Sequence, residues 1–434
     1  MCQNFLEKKK QFFEIQEQLK KEVVTILNLT REVQDEQVYA VIDEVIITTS
    51  KKRYLSLEQM QRLRKNLFNS IRRFDVLQEL LDQEDVTEIM INGYEHIFIE
   101  REGKITKWTE GFSSKEKFHD VIQQIVSGAN RTVNEASPIV DARLPDGSRV
   151  HVVLEPIALD GSALTIRKFS KEAMGMERLI QFGALDSVIA DVLKLFVRSG
   201  MNIFISGGTG SGKTTFLNAL SSYIEEEKRV ITIEDSAELH LMNLPNLVRL
   251  ESRNANLEGG RAITIRNLLK ASLRMRPDFI VIGEIRGEEA LDLLQALNTG
   301  HSGFSTGHAN SSKDMLSRIE TMVLMGMEMP LLAIRGQIAS AIDIIVHLGR
   351  LRDRSRKVLE VSEVLSVEEG EIQMNPLFQF EEIEEIKGEI KGQWKQVGVL
   401  HKRDKLMLSG FEGEYEAFCY HEYEEVCNSE GCKE

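Results

Sequence analysis

Phe12, Ile15, Leu19, Val23 and Ile26 recur at intervals of three and four, the spacing of one buried helix face. A second set, Leu57, Met60, Leu63, Leu67 and Ile71, follows Ser56-Leu-Glu-Gln59, which has the form of a capped helix start. Residues 1–72 therefore predict a helical N-terminal extension, read as a small bundle whose position also suits an arm that docks on a partner. From 73 to 170 the period changes. A short helix at Phe74–Leu81 precedes strands at Thr87–Asn92, His96–Glu100 and Lys104–Trp108, and Lys115–Ala129 has helical spacing. Ile139–Val153 is two alternating runs around Pro145-Asp-Gly-Ser148, a hairpin turn, and Ala163–Arg167 supplies one more strand. This predicts an α+β domain, followed by a joining segment, 171–186, that carries Gly175 and Gly183.

From 187 to 375 strands alternate with helices. Apolar runs at Asn202–Ser206, Arg229–Ile233, Phe279–Gly283 and Gly303–His308 are separated by helical stretches at Thr214–Ile224, Ile263–Met275 and Gly287–Leu297. That alternation predicts a doubly wound α/β sheet, whose ligands sit at the carboxyl ends of the strands. Lys357–Leu365 reads as a further strand, and 376–434 as an acidic C-terminal tail. From 381 onward there are 14 acids and 7 bases, a net −7 that is half of the chain's −14. The tail is expected to be solvated and poorly packed.

Composition narrows the class. At 434 residues the chain suggests about three units of ordinary domain size. With 42% hydrophobic and 28% charged residues it has the balance of a globular protein. The 68 acids against 54 bases argue against a broad nucleic-acid-binding face. No apolar core follows the basic N-terminus, and nowhere do 18 apolar residues run together, so neither a signal peptide nor a membrane span is expected. Cys2, Cys419, Cys427 and Cys432 form no C-x-x-C pair, which favours a reducing, cytoplasmic compartment and an inert role for the last three.

The chemistry gathers at the strand ends. Gly207, Gly208, Thr209, Gly210, Ser211, Gly212, Lys213, Thr214 and Thr215 fit G-x-x-x-x-G-K-[ST] between a strand and a helix, the context that confirms the motif. Glycines let successive N–H groups point at phosphate oxygens, and the helix N-terminus adds partial positive charge. Lys213 would reach the β and γ phosphates of ATP, and the Thr214 hydroxyl would ligate Mg²⁺. Glu284 closes an apolar strand, where a carboxylate can orient or deprotonate water; the plain alternative is an ion pair with Arg286. Glu234, Asp235 and Glu238 close the neighbouring strand and offer water and metal contacts, while Asp235 or Ser236 also suits a helix cap. His308 is a candidate sensor of the γ phosphate on the strength of the neighbouring motifs, the plain alternative being a structural histidine, and His301 is a weaker candidate.

Together these residues resemble the secretion ATPases of the type II/type IV superfamily, the motors of pili, type II secretion and conjugation. Gly207–Thr215 matches the family's Walker A, Thr232–Leu239 its Asp box, Ile280–Gly287 its Walker B and Thr299–Ser311 its His box. The wording of Val133–His151 looks most like the tight-adherence (Flp/Tad) pilus branch, the CpaF-type assembly ATPases. The resemblance implies a RecA-like P-loop NTPase domain preceded by a PAS-like α+β domain and the helical N-terminal extension. It implies catalytic roles for Glu284, Glu234 and His308, metal-side roles for Thr214, Asp235 and Glu238, and arginines that reach the triphosphate at Arg143, Arg149 and Arg167. It further implies ATP and Mg²⁺ as ligands, a homo-hexamer, and inner-membrane platform proteins as partners. The motor would then lie peripherally at the inner face of the cytoplasmic membrane, with no direct nucleic-acid contact.

Gly307 departs from the pattern, standing where an apolar or β-branched residue is expected, and the cysteine knuckle of several pilus-extension and type II members is missing. A conjugation or DNA-transfer motor is the nearest alternative. A nucleic-acid translocase has the basic run Arg350–Lys357 in its favour, although a solvated loop explains that run as simply. A nucleotide-binding scaffold without turnover is a third reading.

Overall fold

The computed structural model describes residues 2–27, 33–101, 103–169, 174–241, 243–253 and 261–418. Cysteines 419, 427 and 432 lie outside them. The chain divides into two compact units, Met1–Lys171 and Glu172–Glu434.

In the first unit, α1 (Cys2–Leu27), α2 (Asp35–Lys52) and α3 (Leu57–Arg72) bury Ile15, Leu19, Val23, Ile42, Leu63 and Leu67 in one apolar cluster. The helix α3 starts as its sequence predicts: Ser56 Oγ accepts from Gln59 N at 3.2 Å, and Gln59 Oε1 accepts from Ser56 N at 2.9 Å. Two positions of the expected stripes face solvent instead, Ile26 at 51% and Leu57 at 70% exposure. Leu27 is buried in place of Ile26, since steps of four from Leu19 and Val23 reach it. Leu57, the first residue of its helix, precedes the turn that meets the bundle.

The rest of the unit comprises α4 (Val76–Asp82), β1 (Val86–Asn92), β2 (His96–Arg101), β3 (Lys104–Lys107), α5 (Lys115–Gly128), β4 (Ile139–Arg143), β5 (Arg149–Val153) and β6 (Ala163–Arg167). The strands form an antiparallel sheet in the order β3-β2-β1-β6-β5-β4. Phe118, Val121, Ile122, Ile125 and Val126 of α5 share a core with Ile89, Ile91, Val150, Val152, Leu164 and Ile166 of the sheet. At the β4–β5 turn Gly147 takes φ 92, and Asp146 Oδ1 accepts from Ser148 N at 2.9 Å. Register does one further thing here. Arg143 pairs with Arg149, and Arg149 with Arg167, so three arginines stand abreast on one face of adjacent strands.

The second unit begins with α6 (Met176–Gln181), α7 (Ser187–Arg198), β7 (Ile203–Gly207), α8 (Lys213–Ser221), β8 (Val230–Glu234) and β9 (Leu247–Glu251). It continues with α9 (Ile265–Ser272), β10 (Phe279–Ile282), α10 (Glu289–Asn298), β11 (Ser302–His308), α11 (Ser312–Gly326), α12 (Leu331–Ala341) and β12 (Ile344–Arg350). It closes with β13 (Arg356–Glu368), β14 (Glu371–Ile386), β15 (Glu389–Gln396) and α13 (Asp404–Ser409). The nine strands run β15-β14-β13-β12-β7-β11-β10-β8-β9, parallel from β12 to β9 and antiparallel from β12 to β15. Every residue of β7, β8 and β10 is buried, as strands covered on both faces require. Side chains of α6, α7, α8 and α13 build one core, and those of α9 to α12 build the other.

Two stretches differ from expectation. The joining segment 171–186 contains α6, whose Met176 and Leu179 belong to the core of the second unit. The segment from 376 is not a poorly packed tail throughout: it completes β14, forms β15 and brings Leu400, Leu406 and Tyr415 into the core. In β15 charged and polar residues alternate with Ile390, Gly392 and Trp394, the period of a strand with one face in water, whereas Glu381–Ile386 of β14 is exposed at every position and reads locally as a solvated tail. Gly307 does not disturb β11, which runs unbroken to His308. A Cβ there would lie 2.7 Å from Met315 Cε and 3.1 Å from Phe204 Cε1, so those side chains already occupy the space an apolar residue would fill.

Candidate functional site

Parallel register brings the predicted chemistry to one edge of the second unit's sheet. Gly207 pairs with His308, and Ile282, just ahead of Glu284, pairs with Ile233, just ahead of Glu234. The loop between β7 and α8 curls through left-handed glycines, Gly210 at φ 72 and Gly212 at φ 95, and Gly208, Thr209 and Gly210 are exposed. A Cβ on Gly207 would collide with the Leu348 carbonyl oxygen and stand 2.6 Å from Ser211 Oγ, so the strand end admits only glycine. Ser211 and Lys213 are buried, with Thr214 and Thr215 half-buried behind them at the start of α8.

Lys213 Nζ donates to the carbonyls of Gly207 at 3.1 Å and Gly208 at 2.9 Å, and lies 3.2 Å from His308 Nδ1. Burial lowers the lysine's pKa, with Glu284 opposing. Burial likewise holds the His308 imidazole below its usual value against the pull of Glu284. A neutral ring that accepts from the ammonium at Nδ1 carries its proton on Nε2. Nε2 lies 3.0 Å from Glu284 Oε1, an ionic contact outside hydrogen-bond geometry, and that oxygen has no hydrogen-bond partner among the described residues. The other oxygen of Glu284 accepts from Arg286 Nη2 at 2.6 Å. The ion pair with Arg286 and the connection to the phosphate loop are thus both present, and Glu284 stays part-exposed at 21%.

Glu234 is buried. Its Oε1 accepts from the backbone of Glu238 and Leu239, each at 2.8 Å, and its Oε2 has no hydrogen-bond partner among the described residues. Burial pushes its pKa up to about 7. Gly283 makes room for it, since a Cβ there would be 3.0 Å from Glu234 Cγ. Asp235 turns to the residue that follows β9, accepting from Ser252 Oγ at 2.5 Å, and is exposed; Glu238 is half-buried. Among the described residues no three His, Cys, Asp or Glu side chains converge to hold a metal ion. A Mg²⁺ that is bound through one or two protein groups would fit this set, and the Thr214 hydroxyl at the start of α8 is the group that would hold it. His301 is elsewhere, at the amino end of β11, bonded to the Ala296 carbonyl at 3.1 Å. Arg143, Arg149 and Arg167 belong to the first unit, where Arg149 Nη2 meets Asp141 Oδ1 at 3.4 Å.

Two neighbours of the loop escaped the sequence reading. His347 on β12 is buried beside Ser206, its Nδ1 2.8 Å from the serine Oγ, and burial lowers its pKa. Nothing local marks it, because the pairing joins residues 141 apart in the chain. The other is Arg356, whose Nε donates to the Gly210 carbonyl at 2.9 Å. Its basic run was visible, but not the strand pairing that lays the run on the loop.

A family model described as type II/IV secretion system protein matches residues 72–403. A protein named putative conjugal transfer protein, from Mycobacterium tuberculosis, is 33% identical over 305 residues, 69% of this chain and 86% of its own length. A type IV secretion system protein PtlH homolog from Bordetella bronchiseptica is 32% identical over 309 residues, 65% of this chain and 91% of its own. Among solved structures, the Legionella pneumophila ATPase DotB shares the fold, with TM-score 0.50 and 22% identity over 68% of this chain and 80% of that one. No single helix among the described residues is long and apolar enough to cross a membrane. By the reach of the family match and the identity to these relatives, the chain belongs to the type II/IV secretion system protein family.

Proposed function

We propose that the protein hydrolyses ATP with Mg²⁺ and works as a homo-hexameric motor of a secretion or pilus machine. The observation that carries the reading is the chain of contacts from Lys213 through His308 to Glu284 at the mouth of the phosphate loop. In this reading the loop amides from Gly208 to Thr215 and Lys213 hold the β and γ phosphates, and Thr214 faces the metal. Bound Mg²⁺ supplies charge neutralisation on the β and γ oxygens. Glu284 orients the attacking water and accepts its proton, while the hydrogen bond from Arg286 fixes the carboxylate's rotamer and His308 stands beside its other oxygen. His308 links that carboxylate to the lysine, so a change at the phosphates reaches the base directly. Glu234, Asp235 and Glu238 serve the water and metal side. Arg143, Arg149 and Arg167 serve the triphosphate, where a planar, permanent cation suits charge on phosphoryl oxygens.

The relatives' names, a type IV secretion system protein and a conjugal transfer protein, support secretion machinery as the setting. In this reading inner-membrane platform proteins are the partners and the motor attaches peripherally at the inner face of the cytoplasmic membrane. The wording of Val133–His151 supports a tight-adherence pilus as the product. The relative named a conjugal transfer protein supports a second reading, a conjugation motor. Neighbouring genes for a prepilin and two platform proteins would favour the first, and ATPase stimulated by DNA the second.

The test compares phosphate release by wild type and Glu284→Gln with Mg²⁺ and ATP, each sized with and without nucleotide. Wild type should turn over as a ring, and the variant should bind ATP but turn over at least about 100-fold more slowly. A variant as active as wild type removes Glu284 from the catalytic role and passes it to Glu234.

A further inference from the structure

The basic run Arg350–Lys357 has no part in the scheme above, yet the fold sets it beside the phosphate loop. It forms the turn between β12 and β13, and β12 pairs with β7 so that Leu348 stands opposite Gly207. Arg356 Nε donates to the Gly210 carbonyl at 2.9 Å, and its Cδ would be 3.3 Å from a Cβ on Gly212. The C=O and N–H of a trans peptide point in opposite directions. A Gly210 carbonyl turned out to Arg356 therefore turns the Ser211 N–H into the loop, among the amides a phosphate would meet. The Ser211 N–H donates to the Gly208 carbonyl across the loop at 3.4 Å, so it points inward, and a phosphate would take the place of that long bond.

The turn is braced from the far side. Asp353 Oδ1 accepts from Ser355 N at 2.8 Å and from Ser355 Oγ at 2.6 Å, which fixes the turn's shape. Asp353 Oδ2 accepts from Ile390 N at the start of β15, at 2.8 Å. Arg352 donates to Glu382 at 2.8 Å and to Glu385 at 2.9 Å, both on β14. The acidic ribbon at the edge of the sheet thus holds the basic turn, and the basic turn holds the loop.

We propose that Arg356 is a positioning residue for the phosphate loop: braced by the β14–β15 ribbon, it fixes the Gly210–Ser211 peptide with its N–H turned inward and so sets nucleotide affinity. This rests on the nucleotide-binding reading of the loop. An amide held in place serves ground state and transition state alike, so its loss weakens binding and spares the chemical step.

The experiment uses the full chain with Mg²⁺, titrating a fluorescent ADP analogue, mant-ADP, and measuring steady-state ATP turnover. Arg356→Gln should raise both the mant-ADP Kd and the KM for ATP about three- to tenfold, with kcat within about twofold. Arg356→Lys, which keeps a charged donor, should recover part of the affinity. Arg352→Ala, which releases the brace without touching the loop, should shift Kd the same way by less. Unchanged Kd and KM in Arg356→Gln beside a wild type that binds overturn this proposal alone, as does a fall in kcat at constant KM. A wild type that binds no mant-ADP overturns the nucleotide reading and this proposal with it.

Discussion

Replacing Glu234 by glutamine should change stability in a way that depends on pH. The carboxylate is 2% exposed, gives one oxygen to two backbone N–H groups at 2.8 Å, and leaves the other without a hydrogen-bond partner among the described residues. Burial moves its pKa from 4.5 up to about 7, a difference of about 2.5 units, or roughly 3 kcal/mol at ~1.4 kcal/mol per unit. A raised carboxyl pKa means that the folded state prefers the proton. The stability is fully present below the unfolded pKa of 4.5, is lost progressively as pH rises towards about 7, and stays lost above it. Glutamine keeps a carbonyl acceptor for the two N–H groups and carries no charge at any pH. Thermal unfolding of nucleotide-free wild type and Glu234→Gln should give nearly coincident curves at about pH 4, below the unfolded pKa. By about pH 8.5 the variant should be more stable by roughly 3 kcal/mol, several degrees in a domain of this size. Groups common to both proteins cancel in the difference. A gap that stays constant between these two pH values would refute the claim that Glu234 titrates near neutrality in the folded chain.

Other expectations follow from single contacts. Gly207→Ala forces a Cβ onto the Leu348 carbonyl and Ser211 Oγ; it should cost about 1–3 kcal/mol in thermal melts and weaken mant-ADP binding, and an unshifted melting temperature would contradict the close approach. Ser56→Ala removes the reciprocal cap of α3 and should cost about 1 kcal/mol, read as faster amide exchange in the first turn of that helix. Arg149→Ala should lower ATP turnover at least about tenfold while sparing mant-ADP affinity; full turnover would leave the arginine row without a role at the triphosphate.

The sequence by itself determined the local chemistry. Nine residues from Gly207 to Thr215 between an apolar strand and an amphipathic helix specify a glycine-rich turn into a helix N-terminus, because glycine at positive φ and a helix start are properties of adjacent residues. The Ser56 cap, the Pro145–Ser148 turn and the buried strands were legible for the same reason. What the sequence could not determine was anything that pairs distant residues. Lys213 meets His308 across 95 positions, and Ser206 meets His347 across 141. The row of Arg143, Arg149 and Arg167 exists through strand register. The ribbon β14–β15 resembled a solvated tail because charge density signals exposure but not pairing, and a strand at a sheet edge is both exposed and paired. Its grip on the Arg352–Arg356 turn, and that turn's hold on Gly210, were decided by the order of strands in the sheet, which no local pattern encodes.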